Sequence, residues 1–428
     1  MNRQRTYFCI DMKSFYASVE CAERRLDPFE TNLVVADRSR GENALCLAIT
    51  PKMKAMGIRN RCRLSEIPRG TEYITALPRM KFYIDYAADI YSLYLKYFSP
   101  QDIHVYSIDE SFIDATDYLD LYGTDARSLA KKLMNEISET LHIPSTAGIG
   151  TNLFLAKAAL DITAKHTKEH IGVLTEESFR ETLWDHEPIT DFWQISDGTA
   201  RRLANYGIKT MRGIAAAPER SLYGMFGINA ELLIDHAWGR ESCTMKDIKE
   251  YNTKSKSVSF SQILPRNYSF DEAKTVMKEM VMNGTQELMK RKVIAGRISI
   301  GIGYPGEFRE AAHGSAKLPR ATAVNSVILP CAEKLFDSIA EKDIPIRRLG
   351  LTFTDLFNEY YEMYDMFTDI NAVEKEKERE KAVLELTEKY GKGTVLKGTN
   401  LIECGTQRER NGMIGGHRAG YDDAKKQG

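Results

Sequence analysis

The sequence lacks most of the features that would place a protein outside a reducing, aqueous compartment. Its seven cysteines are scattered, with no CxxC pair and no cluster with histidine, so the pattern predicts neither a zinc site nor a disulfide framework. No stretch approaches the roughly 20 apolar residues that cross a membrane. The first residues carry no apolar secretory segment. We therefore expect a cytoplasmic protein with reduced thiols and no membrane partner.

A strong excess of basic residues is also missing. The formal net charge of the 428 residues is −1, whereas proteins that bind nucleic acid usually carry a basic surface. The charge is unevenly distributed, because residues 250–360 hold 16 Lys and Arg against 13 Asp and Glu. This excess is modest. Any binding of DNA is therefore expected to be weak without a partner and to weaken steeply with salt.

Two short apolar segments carry acids about a hundred residues apart. Residues 7–11 form a predicted strand that ends at Asp11, and residues 106–112 place Asp109 and Glu110 in a predicted hairpin. Carboxylates at neighbouring strand ends can hold two divalent cations roughly 3.5–4 Å apart, which suits an in-line phosphoryl displacement. Hard oxygen ligands favour Mg²⁺, for which Mn²⁺ can substitute. The alternative, that these acids only cap the hairpin, would leave half-buried charge without compensation.

These two segments resemble the signature motifs of the Y-family (UmuC/ImpB-type) translesion DNA polymerases. The resemblance continues in family order through residues 48–58, 148–157 and 161–172, and it covers roughly the first 360 residues. The tail at 408–420 is similar to the tails of family members from low-GC Gram-positive bacteria. The resemblance implies a DNA-directed DNA polymerase of the SOS response to DNA damage. Such an enzyme adds a dNTP to the primer 3′-OH opposite damaged template.

The resemblance further implies an α+β, multidomain right-hand polymerase. Its expected parts are a catalytic palm at 1–24 and 72–165, fingers at 25–71, a helical thumb at 166–245, a linker at 246–254, a βαββαβ little-finger domain at 255–360 and a tail at 361–428. The pattern reveals three little-finger strands and both helices, whereas residues 306–321 are interpreted as a loop. Residues 374–381 predict a charged helix, and the polar, Gly-rich chain beyond Tyr390 is predicted to be mobile.

Family roles carry over to single residues around the acids. Asp11, Asp109 and the backbone carbonyl of Met12 would hold the two metal ions. Glu110 would bind the metal nearer the primer 3′-OH or help to lower the pKa of that hydroxyl. Ser14 is a plausible cap for the helix that follows.

The nucleotide itself would be bound by Phe15, Tyr16, Lys54 and Lys157. Tyr16 is the candidate steric gate, whose ring would leave no room for a ribose 2′-OH, while Phe15 is expected to pack in the core. Lys157 would reach the β- and γ-phosphates. Lys54 is the weaker candidate, because Pro51 replaces a tyrosine that contacts the triphosphate in several relatives.

Contacts with primer-template DNA are predicted in two regions. Segments resembling helix-hairpin-helix motifs surround Gly198, Thr199 and Gly227, where backbone N–H groups could bind phosphate. The alternative is a packed helical turn. In the little finger, the basic side chains of the 306–321 segment could follow the template backbone, unless they only make the loop soluble: Arg309, Lys317 and Arg320.

A short apolar segment after the little finger resembles the peptide by which relatives bind the sliding clamp. Its candidate residues are Met363, Met366 and Phe367. Met363 stands where the peptide usually has glutamine, so the polar anchor is missing. The alternative is that these side chains pack onto the domain.

Two rival functions stay open. A catalytically silent, polymerase-like replisome or SOS regulatory factor could keep the fold without the reaction, although the intact acids argue against it. A palm-type nucleotide cyclase shares the paired carboxylates but has no use for the thumb-like hairpins. Accessory SOS proteins are further possible partners. The sequence has no additional exonuclease-like acidic motif, so we expect no proofreading.

Overall fold

The structure is a computed structural model that describes residues 4–251, 257–306 and 310–420. The chain divides near residue 252 into two compact units. This division lies within the predicted linker, but residues 246–250 belong to a helix whose Met245 is buried in the first unit. The expectation that the linker begins at 246 is therefore wrong.

The first unit is built on a five-stranded sheet with β1 at its centre. In chain order its strands are β1 (Tyr7–Met12), β2 (Leu33–Val35), β3 (Ala48–Ile49), β4 (Ile74–Ala76), β5 (Ile103–Val105), β6 (Glu110–Asp114), β7 (Ser145–Gly150) and β8 (Ile171–Leu174). The central sheet has the order β5-β6-β1-β7-β8, and β3-β2-β4 form a smaller sheet. Strand β1 pairs antiparallel with both β6 and β7, and its apolar residues are buried whichever face of the sheet they point to.

Helices cover the central sheet and continue as a separate helical region. They are α1 (Phe15–Glu23), α2 (Pro51–Ala55), α3 (Met80–Tyr94), α4 (Thr116–Tyr122), α5 (Ala126–Leu141), α6 (Leu153–Ala158), α7 (Glu176–Thr182), α8 (Asp197–Ala204), α9 (Met211–Ala216), α10 (Glu219–Phe226), α11 (Asn229–Ala237) and α12 (Met245–Glu250). The predicted thumb is not wholly helical from residue 166, because β8 pairs with β7 and so belongs to the central sheet.

The second unit has the predicted βαββαβ order. Its elements are β9 (Ser257–Tyr268), α13 (Phe270–Lys290), β10 (Val293–Gly303), β11 (Ala312–Thr322), α14 (Asn325–Ile339) and β12 (Ile346–Asn358), with the sheet order β11-β10-β12-β9. The interpretation of 306–321 as a loop is wrong from residue 312 onward. The sequence pattern did not predict β11, because this edge strand, AHGSAKLPRAT, has almost no apolar alternation and contains a proline.

The tail packs against the second unit. It contains α15 (Ile370–Tyr390), α16 (Gln407–Asn411), and a hairpin of β13 (Met413–Ile414) and β14 (His417–Arg418). Asn400, Cys404 and Thr406 are buried. The prediction that the chain beyond Tyr390 is mobile is therefore wrong for this segment, which is fixed by hydrogen bonds to α13.

Candidate active site

Strands β1 and β6 bring the three predicted acids to one end of the central sheet. Asp11 lies directly opposite Glu110 in the antiparallel register. At the last residue of β1, the backbone N–H of Met12 donates to the carbonyl oxygen of Asp109 over 2.9 Å. Asp109 precedes β6, and its carboxylate accepts a 2.6 Å hydrogen bond from Ser107. Acids far apart in sequence are thus neighbours because the two strands pair.

Asp11 is a buried carboxyl group to which no cation is bonded in the described part of the chain, although the charge of Lys157 favours its ionised form. Burial raises the pKa of Asp11 from 3.8 to about 8, and the charges of Asp109 and Glu110 raise it in the same direction. Within the described ranges, no three His, Cys, Asp or Glu side chains are grouped closely enough to enclose an ion as they stand. Nevertheless, the oxygen donors fit a hard divalent cation, and its charge would relieve the repulsion at Asp11.

Glu110 has other partners in this structure. Its carboxylate accepts hydrogen bonds from Lys157 Nζ over 2.8 Å and from Cys9 Sγ over 3.1 Å. Lys157 also donates to Asp161 over 3.1 Å. To serve as a metal ligand and a phosphate-binding cation, Glu110 and Lys157 would have to separate. Cys9 and Asp161 were not predicted as site residues, although Asp161 stands four residues after Lys157, a spacing that joins side chains on a helix.

Helix α6 reaches the acids because two glycines let it lie directly on β7. A Cβ atom on Gly148 would stand 2.0 Å from the carbonyl oxygen of Ala156, and one on Gly150 would stand 2.2 Å from the backbone nitrogen of Ala156. Any larger residue would push the helix away from the strand. The close packing places Lys157, the next residue on α6, beside Glu110.

The turn after β1 contains a strained, unsatisfied residue. Ser14 has a left-handed backbone with φ of 50°, and it does not cap α1 with its side chain. Its buried hydroxyl has no hydrogen-bond partner among the described residues. The expected N-cap bond is therefore absent. Lys13 lies in this turn. Burial lowers the pKa values of Lys13 and Lys54, while the charge of Asp11 raises both. Lys13 was not predicted.

The candidate gate residue stands on the first turn of α1. Tyr16 is half-buried, and its ring stacks on Tyr83 of α3 at 4.7 Å between centroids and 28° between planes. Phe15 is buried, which confirms the expectation that it packs in the core. Tyr83 was missed, because nothing in the sequence near Tyr16 points to a residue on α3.

The predicted DNA contacts occupy different settings. Gly198 and Thr199 lie in the first turn of α8, which Ser196 caps, and Gly227 joins α10 to α11 with φ of 59°. Lys317 is exposed on the edge strand β11. Arg320 lies instead over the ring of Tyr364 at 4.8 Å. Arg309 lies outside the described residues.

The segment between β12 and α15 exposes its apolar side chains. Met363 is 78% exposed, Met366 91% and Phe367 90%. The alternative that they pack onto the domain is therefore wrong. Asp365 accepts hydrogen bonds from the Phe367 N–H and the Thr368 hydroxyl, which makes a local turn.

Comparison with known proteins agrees with this architecture. The impB/mucB/samB family model matches residues 10–161, and the model of the C-terminal domain of that family matches residues 255–364, together more than half of the chain. Similar curated proteins include the putative UV-damage repair protein UvrX of Bacillus subtilis (strain 168), 29% identical with 97% of this chain and 98% of UvrX covered. DNA polymerase IV 2 of the same organism is 28% identical, with 97% and 100% covered.

A solved structure shows the same fold. The Y-family DNA polymerase chimera Dbh-Dpo4(243-245)-Dbh is 21% identical, with a TM-score of 0.63 and coverage of 82% of this chain and 99% of the chimera. The fold and the family models define a polymerase of the right-hand, lesion-bypass class. The chain belongs to the Y family (UmuC/ImpB type) of DNA polymerases, and it is a DNA-directed DNA polymerase of the translesion type. None of the described helices is long and apolar enough to span a membrane.

Proposed function

We propose that the acids at the ends of β1 and β6 carry out the nucleotidyl transfer of this polymerase. The observation that supports this is the position of Asp11, a buried carboxyl group with a raised pKa that lies beside Asp109 and opposite Glu110. Structural acids are normally paired, whereas catalytic acids often show strongly shifted pKa values. Asp11, Asp109 and the Met12 carbonyl would hold Mg²⁺ or Mn²⁺, and Glu110 would join them after leaving Lys157. Two such ions, when bound, supply positive charge to the attacking and leaving oxygens.

The protein's own residues would bind and orient the dNTP. Lys13, Lys54 and the left-handed turn at Ser14 border the acids, and a triphosphate there would meet positive charge and an unpaired hydroxyl. Lys157 neutralises Glu110 in the free protein. We infer that the incoming phosphates draw Lys157 away and so release Glu110. Tyr16, next to this turn, would close the pocket against a 2′-OH.

Substrate DNA and the clamp would be held elsewhere on the chain. The helical region from α7 to α11 serves as the thumb in this proposal, and the unit from β9 to β12 serves as the little finger, with Lys317 on its exposed edge. The exposed Met366 and Phe367 support the 363–367 segment as a weak clamp-binding peptide, since an apolar pocket would remove the Phe367 ring and the Met366 thioether from water. The DNA contacts of Gly198, Thr199 and Gly227 stay predictions.

Primer extension with Mg²⁺ tests the catalytic assignment. Asp109→Ala and Asp11→Ala should abolish extension yet retain binding of primer-template DNA by fluorescence anisotropy. A matched control is Asp89→Ala, which removes an exposed acid from α3. Full extension by either active-site variant would refute the assignment.

A further inference from the structure

The ring that would select the sugar is itself held by a buried network behind it. One face of Tyr16 stacks on Tyr83, and its other aromatic neighbour, Phe15, is tilted by 47° at 5.7 Å. Tyr83 is completely buried. The angle of the Tyr16 ring is therefore set by how firmly Tyr83 is held on α3.

Tyr83 is tied to a carboxylate on the same helix as Tyr16. Its hydroxyl donates to Glu20 over 2.7 Å, and Glu20 has no solvent exposure. Glu20 follows Tyr16 by four residues, so both side chains project from the same side of α1. The path from Tyr16 through Tyr83 to Glu20 thus returns to its own helix. Because these contacts begin and end on α1, they restrict rotation of the stacked Tyr16 and Tyr83 rings.

The carboxylate is fixed in turn by arginine. Arg79 donates to both oxygens of Glu20, each over 2.9 Å, and Arg24 binds it as well. This fork geometry is the most directional way in which a protein holds a carboxylate. A buried ion pair is often no more stable than an apolar replacement of similar size. We therefore interpret these bonds as fixing the orientation of Tyr83 rather than as adding to the stability of the fold.

We propose that Glu20 and Tyr83 are positioning residues for sugar selection, which hold the Tyr16 ring against the 2′ edge of the incoming nucleotide. The inference rests on the proposed gate role of Tyr16. Loosening the tie lets the ring tilt away, so that ribonucleotides fit better. The effect would be transmitted through the stacked rings, because Glu20 and Tyr83 are both fully buried and cannot contact a nucleotide themselves.

Steady-state insertion of single nucleotides tests the proposal. For each variant, kcat and KM are measured with a dNTP and with the matching rNTP. Tyr83→Phe keeps the ring but removes the tie, and it should raise the rNTP-to-dNTP ratio of kcat/KM about tenfold, equivalent to 1.4 kcal/mol of discrimination. The gain should lie mainly in a lower KM for the rNTP, with the dNTP values nearly unchanged. Glu20→Gln, which keeps an acceptor for Tyr83 but loses the charged pair with Arg79, should have a smaller effect in the same direction.

Two further variants make the result decisive. Tyr118 on α4 also donates a hydrogen bond to a carboxylate, that of Asp102. Tyr118→Phe removes this bond and should leave the rNTP-to-dNTP ratio at the wild-type value. Tyr16→Ala should raise the ratio most. If Tyr16→Ala raises it while Tyr83→Phe and Glu20→Gln do not, the positioning role is refuted and the gate stands. If Tyr16→Ala has no effect, the gate itself is refuted. Equal losses for both nucleotides in Tyr83→Phe would mark a purely structural role and also overturn the proposal.

Discussion

The C-terminal tail should come away from the second unit when Glu279 is replaced. This carboxylate on α13 is only 2% exposed, and four donors from the tail surround it. The Asn400 side-chain amide and the Thr406 backbone N–H donate over 2.8 Å each, the Gln407 N–H over 3.2 Å and the Thr406 hydroxyl over 3.4 Å. Two of these donors are backbone N–H groups at the start of α16. Glu279, although it belongs to α13, therefore caps the N-terminus of α16.

The magnitude follows from what Glu279→Ala leaves behind. A hydrogen bond to a charged group contributes about 1.5–3 kcal/mol, and each buried donor without a partner costs about 1–3 kcal/mol. These values do not simply add, because the tail can separate and let water satisfy its donors. We therefore expect the docking of the tail to weaken by about 3 kcal/mol. Local opening would then increase about a hundredfold, as would amide exchange wherever opening limits exchange.

Hydrogen exchange followed by mass spectrometry measures this directly. Peptides from residues 398–412 should lose protection in Glu279→Ala, while those from β10 and β12 should keep theirs. Glu287→Ala is the matched control, because it removes an acid from the same helix whose partner is the exposed Arg291. Exchange of the tail at the wild-type rate in Glu279→Ala would refute the reasoning, since it would mean that the buried carboxylate does not hold the tail.

Three further outcomes are expected. Replacing Met366 and Phe367 together by Ala should shorten products on clamp-loaded template without changing single-nucleotide insertion on a bare primer; unaltered product length would place the tether elsewhere. In metal-free protein, the pKa of Asp11 is about 8 in the folded state against 3.8 in the unfolded state. The free energy of unfolding therefore falls as the pH rises between these two values. Asp11→Asn should flatten that fall in denaturant titrations with EDTA. Lys157→Met should lower the free energy of unfolding by about 3 kcal/mol, because it leaves Glu110 buried without its cation; an unchanged midpoint would show that the pair contributes nothing.

The sequence was sufficient where the signal is local or repeated. The sequence of α5 has apolar residues at helical spacing, a pattern that predicts a helix, and Leu129, Leu133 and Ile137 are buried. The hairpin of β5 and β6 was predicted from apolar segments on either side of a polar turn. The proximity of Asp11 to Asp109 and Glu110 was also predicted, because acids at the ends of paired strands lie close together, and β1 does pair with β6.

The sequence was insufficient where a residue's role depends on a distant partner. Glu279 and Thr406 are 127 residues apart, and in sequence Glu279 looks like any polar position on an amphipathic helix. Tyr83 likewise acquires its interest only from the Tyr16 ring that lies on it. Edge strand β11 was missed for a different reason, since its side chains pack too little to impose a pattern on the sequence.

Compensation of buried charge separates the structural acids of this chain from the proposed catalytic one. Bonds from Arg79 and Tyr83 lower the pKa of Glu20 despite burial, and bonds from Gln286 and Lys397 do the same for Glu380. Each of these acids is paired by groups the protein itself supplies, and each fastens one helix to another part of the fold. Asp11 is the contrasting case, because burial and neighbouring acids raise its pKa and no cation is bonded to it in the described part of the chain. Asp11 has no partner comparable to those of Glu20 and Glu380 among the described residues. In the function proposed above, the positive charge that Asp11 lacks is the one that would arrive with the substrate and its metal ions.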